Sequence, residues 1–175
     1  MTAAVRRAVA VSLAAAAIGL FAWACGRPSE EARIREFLED SAARAEKRDV
    51  DGLMDLFDPG YADFEGRDKA GTVRLITEYL DQYRGVVVHV LGVHPGTIGT
   101  DGRAEVECEV ALSHGAAQLL RRLIRVGSEY YRFRFDLRKN EAGEWRFAYA
   151  EWESIGLAEL FPESLEILRK LFPNL

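Results

Sequence analysis

The spacing of hydrophobic positions changes once along the chain, from a helical period to a strict alternation. After residue 29, apolar side chains recur at every third or fourth position, which indicates amphipathic helices. Three helices are predicted, and Ser29, Asp49 and Asp68 are suited to be their N-caps. From Val86 onward the period becomes two, which is typical of β-strands.

The predicted strands have one apolar face and one charged face. Residues 104–112 alternate apolar side chains with three glutamates, and residues 131–137 alternate aromatic or aliphatic side chains with arginines and an aspartate. A hairpin loop at residues 140–143 leads to a last strand. The order of helices followed by long strands predicts an α+β domain, with helices packed on one face of a strongly bent antiparallel sheet.

The last predicted strand supplies the candidate pocket residues. Strict alternation places Trp145, Phe147, Tyr149 and Glu151 on one face, and we expect that face to line a pocket. A desolvated Glu151 beside a tyrosine would be a candidate acid–base group, whereas a frayed strand end would leave it in solvent. The opposite face would then carry Ala148, Ala150 and Trp152, a candidate dimer surface.

The N-terminal 24 residues differ from the rest of the chain. Two arginines precede an apolar run at residues 8–24, which is the arrangement of a secretory signal. The sequence Ala-Cys-Gly at residues 24–26 resembles the lipobox of bacterial lipoproteins. We therefore expect residues 1–24 to be a signal peptide, Cys25 to be acylated, for example with palmitate, and residues 25–28 to form a short tether.

Two other processing routes stay open for this segment. Ala22-Trp23-Ala24 also fits an ordinary signal peptidase, and an uncleaved apolar run would be a membrane anchor near the short limit for spanning. Each route places the domain outside the cytoplasm. We expect a lipoprotein of the cell envelope that faces the periplasm, attached through its lipid to the outer rather than the inner membrane.

Composition excludes several classes of function. The chain has 175 residues, of which 49% are apolar and 29% charged, so a folded domain is expected. Its net charge of -5 and its lack of a basic cluster argue against nucleic acid as a partner. With only Cys25 and Cys108, the chain has no disulfide framework.

No metal site or cofactor is predicted. His89 and His94 are five positions apart, so a regular strand would place them on opposite faces. His114 lies at the end of a predicted strand, without a nearby pair of carboxylates. These histidines are more consistent with ordinary structural or exposed positions than with metal ligands.

Two further segments lie outside the regular pattern. Residues 115–127 combine helically spaced leucines with Arg121, Arg122 and Arg125 on the opposite side. This segment is either a basic amphipathic lid that closes the pocket or contacts anionic lipid, or a packed crossover between strands. Residues 155–175 are predicted to form a C-terminal amphipathic helical tail that packs on the domain or against a partner.

The stretch at residues 45–57, together with residues 61–66 and 143–147, resembles the nuclear transport factor 2-like superfamily, which includes SnoaL-like proteins and has a cystatin-like fold. The resemblance covers about residues 30–153, within a domain that we place at residues 29–154. It implies a cone-shaped α+β domain, in which the helices and the concave sheet face enclose a pocket.

Function is predicted at the level of class. We expect a binding or assembly module for a small apolar ligand or a protein partner, including a second copy of the chain. The alternatives are an isomerase, cyclase or dehydratase that uses the pocket, and a non-catalytic partner domain on an uncleaved anchor. An inward-facing carboxylate beside a tyrosine or histidine would favour the enzyme. The sequence favours a binding module over an enzyme.

Overall fold

The computed structural model describes residues 28–83, 85–113, 129–156 and 159. The chain divides into two compact units, Met1–Arg33 and Ile34–Leu175. Within the first unit, the described residues contain the beginning of a helix, where the Ser29 hydroxyl accepts a hydrogen bond from the Ala32 amide at 3.2 Å. Ser29 is therefore the cap that its residue type predicted.

Several predictions concern residues outside the described part of the chain. These are the signal peptide, the acylation of Cys25, the segment that holds Arg121, Arg122 and Arg125, and nearly all of the C-terminal tail. In the part that is described, no helix has both the length and the apolar composition needed to cross a membrane.

Three helices and one short strand come first. The helices are α1 (Glu30–Lys47), α2 (Val50–Met54) and α3 (Lys69–Gln82), and strand β1 (Phe57–Asp63) lies between α2 and α3. The carboxylates of Asp49 and Asp68 accept hydrogen bonds from the backbone amides three residues later, at 2.9 and 2.8 Å. Both N-caps are thus confirmed.

Four long strands complete the domain: β2 (Val87–Ile98), β3 (Arg103–Ser113), β4 (Glu129–Lys139) and β5 (Trp145–Ile155). The sheet order is β1-β5-β4-β3-β2, and the long strands pair antiparallel with their neighbours. Strand β1 pairs parallel with β5, so the sheet is mixed rather than wholly antiparallel. Helix α3 and three strands separate β1 from β5 in the chain, so no hairpin fixes their relative direction.

Helix α1 protects the outer edge of β2. The Glu46 carboxylate accepts a hydrogen bond from the Val88 amide at 2.9 Å, and the Arg35 guanidinium donates to the Val93 carbonyl at 3.5 Å. These side chains occupy backbone groups that an edge strand would otherwise offer to another chain.

The core lies between the helices and one face of the sheet. Ile34 of α1 is completely buried, and Leu137 of β4 is 1% exposed. The strand positions predicted to face inward on β3 are buried or half-buried, while the glutamates between them are more exposed. The alternation in β3 and β4 therefore follows the simple prediction.

A β-bulge in β5 interrupts the same alternation there. Asp136 of β4 pairs with Tyr149, but the next residue, Leu137, pairs with Phe147, so Ala148 is an extra residue on β5. Side chains after the bulge consequently point to the face opposite to the one that strict alternation predicts.

Candidate ligand-binding site

A cavity of about 370 Å³ lies between the helices and the inner face of the sheet. The helices contribute small and aliphatic side chains, including Ala45 of α1, Leu53 of α2, and Ile76 and Leu80 of α3. None of the lining residues that the structure describes is charged. The cavity therefore favours an uncharged, apolar occupant.

The sheet supplies an aromatic wall, made of Tyr131, Phe133 and Phe135 from β4 and Phe147 and Trp152 from β5. The rings of Phe133 and Phe135 stack, with centroids 5.5 Å apart, and the rings of Phe135 and Phe147 lie 4.8 Å apart. Alternate residues of one strand face the same side, which is why the three aromatic residues of β4 line up.

The four predicted pocket residues are divided between two faces. Phe147 lines the cavity, and Trp145 lies in the core, 3% exposed. Tyr149 and Glu151 lie on the outer face, so the prediction that they line the cavity is wrong. Glu151 there accepts a hydrogen bond from Arg134 at 2.8 Å, and the Tyr149 hydroxyl lies 3.4 Å from its other oxygen.

The same bulge overturns the predicted dimer surface. Ala150 and Trp152, which were expected to face outward, line the cavity, whereas Ala148 lines a polar groove on the outer face. The strand sequence contains no glycine or proline at residues 147–150 that would have indicated the bulge. The sequence therefore contained no local feature that predicted the exchange of faces after Ala148.

Tyr61 of β1 is a lining residue whose hydroxyl group is buried. The side chain is buried, 4% exposed, and its hydroxyl oxygen is closed to water; the Thr72 side chain is close enough to affect its pKa, but no described residue meets it with the geometry of a well-formed hydrogen bond. Burial raises the pKa of Tyr61 to about 12, against a smaller opposing effect of the Thr72 side chain, so the phenol is neutral. Burying a hydroxyl without a partner costs about 1–3 kcal/mol.

The hydroxyls of Ser41 and Thr72 also belong to lining residues, but both donate hydrogen bonds within the protein. Ser41 donates to the Phe37 carbonyl at 2.7 Å, and Thr72 donates to the Asp63 carboxylate at 3.3 Å. The protons of both hydroxyls are therefore already donated within the protein.

Two tyrosines are joined by one carboxylate. Tyr79 of α3 and Tyr131 of β4 both line the cavity, and both hydroxyls donate to the same oxygen of Glu129, at 3.2 and 3.0 Å. Burial and the charge of Glu129 raise the pKa of Tyr79 above its usual range. The three residues link a helix to the sheet beside the cavity.

Asp63 is a buried carboxylate that sequence reasoning missed. It accepts hydrogen bonds from the amides of Glu65 and Arg67, both at 2.9 Å, and from the Arg67 guanidinium at 2.7 Å. Burial alone would raise the pKa of Asp63, but the bonds from Arg67 and Glu65 outweigh it and lower the pKa. Asp63 is thus an ionised group that stabilises the turn after β1. Gly66 and Arg67, which follow it closely, were the sequence feature that could have indicated this turn.

The two histidines that the structure describes each contact one polar side chain, and Cys108 is buried. His89 contacts the Ser113 hydroxyl at 3.2 Å, and His94 contacts Glu109 at 2.8 Å. Among the described residues, no group of three histidine, cysteine or acidic side chains could hold a metal ion. Burial raises the pKa of the Cys108 thiol to about 12, which suppresses the reactive thiolate.

Solved structures with the same arrangement of helices and strands identify the fold. No family model and no curated protein matches the chain. An NTF-2-like protein of unknown function from Pseudomonas aeruginosa is 15% identical and aligns with a TM-score of 0.58, over 71% of this chain and 99% of that one. The fold is nuclear transport factor 2-like, as the sequence resemblance implied.

Two other matches show how varied proteins of this fold are. A Novosphingobium aromaticivorans protein named "Putative Scytalone Dehydratase" is 14% identical, with a TM-score of 0.58, over 71% of this chain and 83% of that one. Bd1075 of Bdellovibrio bacteriovorus is 12% identical, with a TM-score of 0.56. That match covers 71% of this chain but 40% of the Bdellovibrio chain. At these identities the likeness concerns the fold alone.

Proposed function

We propose that the domain is a binding module that holds a small, uncharged, apolar molecule in the cavity between its helices and its sheet. The observation that carries this proposal is the lining: a space of about 370 Å³ has an aromatic wall on one side, aliphatic side chains on the other, and no charged group among its described residues. Such a site gains affinity mainly from removing apolar surface from water.

A binding role fits the cavity better than catalysis does. Isomerase, cyclase or dehydratase chemistry needs a positioned acid–base group, and the described lining contains no carboxylate or histidine. Asp63 lies behind the lining residue Thr72, but its carboxylate is committed to Arg67 and to two backbone amides. Glu151, the acid–base candidate from the sequence, faces the other side of the sheet.

The proposal also gives the module a place in the cell. The signal-like residues 1–24 and the lipobox-like Cys25 support a lipoprotein of the periplasmic face of the outer membrane. Four residues separate Cys25 from the first residue of α1, and at about 3.3–3.6 Å per residue this connection extends less than about 20 Å. The ligand would then be bound close to the lipid surface.

Filling the cavity tests the binding function. Ala150→Leu adds a larger side chain to the cavity wall, whereas Ala148→Leu adds the same atoms beside a groove on the outer face. We expect the unmodified protein to bind N-phenyl-1-naphthylamine with enhanced fluorescence. Ala150→Leu should weaken this binding at least tenfold, and Ala148→Leu should change it less than twofold. No saturable binding by the unmodified protein, or equal losses in both variants, would contradict the proposal.

The anchor has its own test. The intact mass of protein extracted from membranes should show loss of residues 1–24 and addition of acyl chains at Cys25, and Cys25→Ser should abolish both changes. A mature protein that begins at residue 25 without lipid, or one that retains residues 1–24, would exclude the lipoprotein while leaving the binding function intact.

A further inference from the structure

Glu129 ends the aromatic row on the inner face of β4. It is the first residue of that strand, and the lining residues Tyr131, Phe133 and Phe135 follow it at every second position. Because alternate residues of a strand share a face, Glu129 lies on the same face as the aromatic wall. The row therefore runs from the phenylalanines of the wall to a carboxylate at the end of the strand.

The cavity opens to solvent on the side of this carboxylate. Leu75 of α3 lines the cavity and is 38% exposed, and Tyr79 follows it one helical turn later. The hydroxyls of Tyr79 and Tyr131 donate to one oxygen of Glu129, at 3.2 and 3.0 Å, and both hydrogen bonds are exposed. Glu129 therefore lies at the rim, where the apolar lining meets water.

The negative charge of Glu129 has no positive partner among the described residues, where its polar contacts are two phenols. Those phenols are neutral, since burial and the interaction with Glu129 raise the pKa of both Tyr79 and Tyr131. The carboxylate of Asp63, by contrast, forms an ion pair with Arg67 at 2.7 Å. An ionised carboxylate that accepts two hydrogen bonds still has room to accept another.

We propose that Glu129 determines which polar end group the bound molecule carries, disfavouring apolar molecules that end in a carboxylate and favouring those that end in a hydroxyl. This inference rests on the proposed binding function and specifies the chemical class of its ligand. A negatively charged end group would be repelled by Glu129, and the uncharged lining would not replace its lost hydration. A hydroxyl avoids both costs and can donate a hydrogen bond to the carboxylate.

A matched pair of probes separates this selectivity from general apolar binding. 1-Octanol and octanoate have carbon chains of the same length and differ in the end group, and octanoate is ionised at about pH 8 because carboxyl groups titrate near pH 4. Their dissociation constants would be measured for the full chain in phosphatidylcholine nanodiscs, by displacement of N-phenyl-1-naphthylamine. Since all variants share the same nanodiscs, partition of the probes into lipid cancels when variants are compared.

Glu129→Gln removes the charge while it keeps an oxygen that can accept from the two phenols. At low ionic strength, octanoate affinity should rise about three- to tenfold in this variant, and octanol affinity should stay within twofold. Glu129→Lys should raise octanoate affinity further, since attraction replaces repulsion. About 1 M salt should reduce both differences, because the rim is exposed to solvent. Unchanged dye affinity would show that the cavity is intact in each variant.

Glu141→Gln is the matched control for net charge. Glu141 is exposed in the hairpin loop that follows β4, at the other end of the strand from Glu129. Its replacement removes the same charge from the chain, and the ratio of octanoate to octanol affinity should not change. A shift as large as that of Glu129→Gln would assign the effect to the charge of the whole protein and overturn the inference.

The remaining outcomes distinguish the two proposals. If the dye binds but neither Glu129→Gln nor Glu129→Lys changes the ratio of octanoate to octanol affinity, the role of Glu129 is wrong and the binding function stands. If the dye itself does not bind to the unmodified protein, the binding function and the selectivity both fail.

Discussion

The two faces of strands β3 to β5 are stabilised by different interactions: burial of apolar side chains on one face and ion pairs on the other. On β4, Phe133 and Phe135 face the cavity, where burial of aromatic surface stabilises them. Arg132 and Arg134 point the other way, toward Glu107, with which both form ion pairs at 3.4 and 3.6 Å. Exposed pairs of this kind contribute little to stability, whereas large buried rings contribute much.

This difference indicates that the apolar face, rather than the charged face, fixes the register of the sheet. Slipping a strand by one residue would exchange its aromatic and charged side chains between the faces. In β5 that exchange occurs within a single strand, because the bulge at Ala148 moves Ala150 and Trp152 to the cavity face and Glu151 to the outer face. The bulge is therefore part of the cavity's construction.

Deleting Ala148 should have the largest effect, because it removes the bulge. Either the residues before it or those after it would then face the wrong side, so Phe147 or Trp152 would leave the apolar wall. We expect the free energy of unfolding to fall by more than about 4 kcal/mol, measured by urea titration followed by circular dichroism.

Ala148→Gly is the control for this deletion, because it keeps the number of residues and therefore the bulge. It should cost about 1 kcal/mol or less, the usual range for an alanine-to-glycine change within a strand. A deletion variant as stable as Ala148→Gly would show that the bulge does not determine the faces of β5.

Asp63 is the exception to the separation of charged and apolar faces, and replacing it should have the next largest effect. Asp63→Asn removes the charge that the Arg67 guanidinium and two amides stabilise, and we expect a loss of about 2–4 kcal/mol. The matched control, Glu65→Gln, removes a more exposed partner of the same arginine and should cost less than about 1 kcal/mol.

The pH dependence of stability gives the sign of this effect. Because folding lowers the pKa of Asp63, its contribution is complete above the unfolded value of about 3.9 and is lost as pH falls through the lower folded value. The unmodified protein should therefore lose more stability than Asp63→Asn between about pH 5 and pH 2. Parallel pH profiles for the two proteins would contradict this role of Asp63.

Local patterns predicted most of the fold but only part of the site. The caps at Asp49 and Asp68 depend on neighbouring backbone amides, and the alternation of β3 depends on one-sided burial, so the sequence contains both. The parallel pairing of β1 with β5 joins segments about 90 residues apart, and no local pattern determines it.

The cavity residues on the helices were missed for a related reason. Thr72 and Ile76 follow an ordinary helical stripe, and whether such a stripe meets a filled core or an open space depends on helix placement. The buried hydroxyl of Tyr61 is also a tertiary property, since its environment is built by β1 and α3 together. Sequence reasoning could predict the apolar pocket but not which of its hydroxyls would be left without a well-formed hydrogen bond.

The smallest effect is expected on the outer face. Arg132→Glu would place a third acidic group beside Glu107 and Glu153, which Arg132 now contacts at 3.4 Å each. We expect a loss of about 1 kcal/mol in unfolding free energy at low ionic strength, since like charges on adjacent strands repel. Arg132→Gln controls for the lost ion pairs, and about 1 M salt should bring the two variants together. Because this face does not line the cavity, dye affinity should be the same in both; a change in affinity would show that the charged face is coupled to the apolar one.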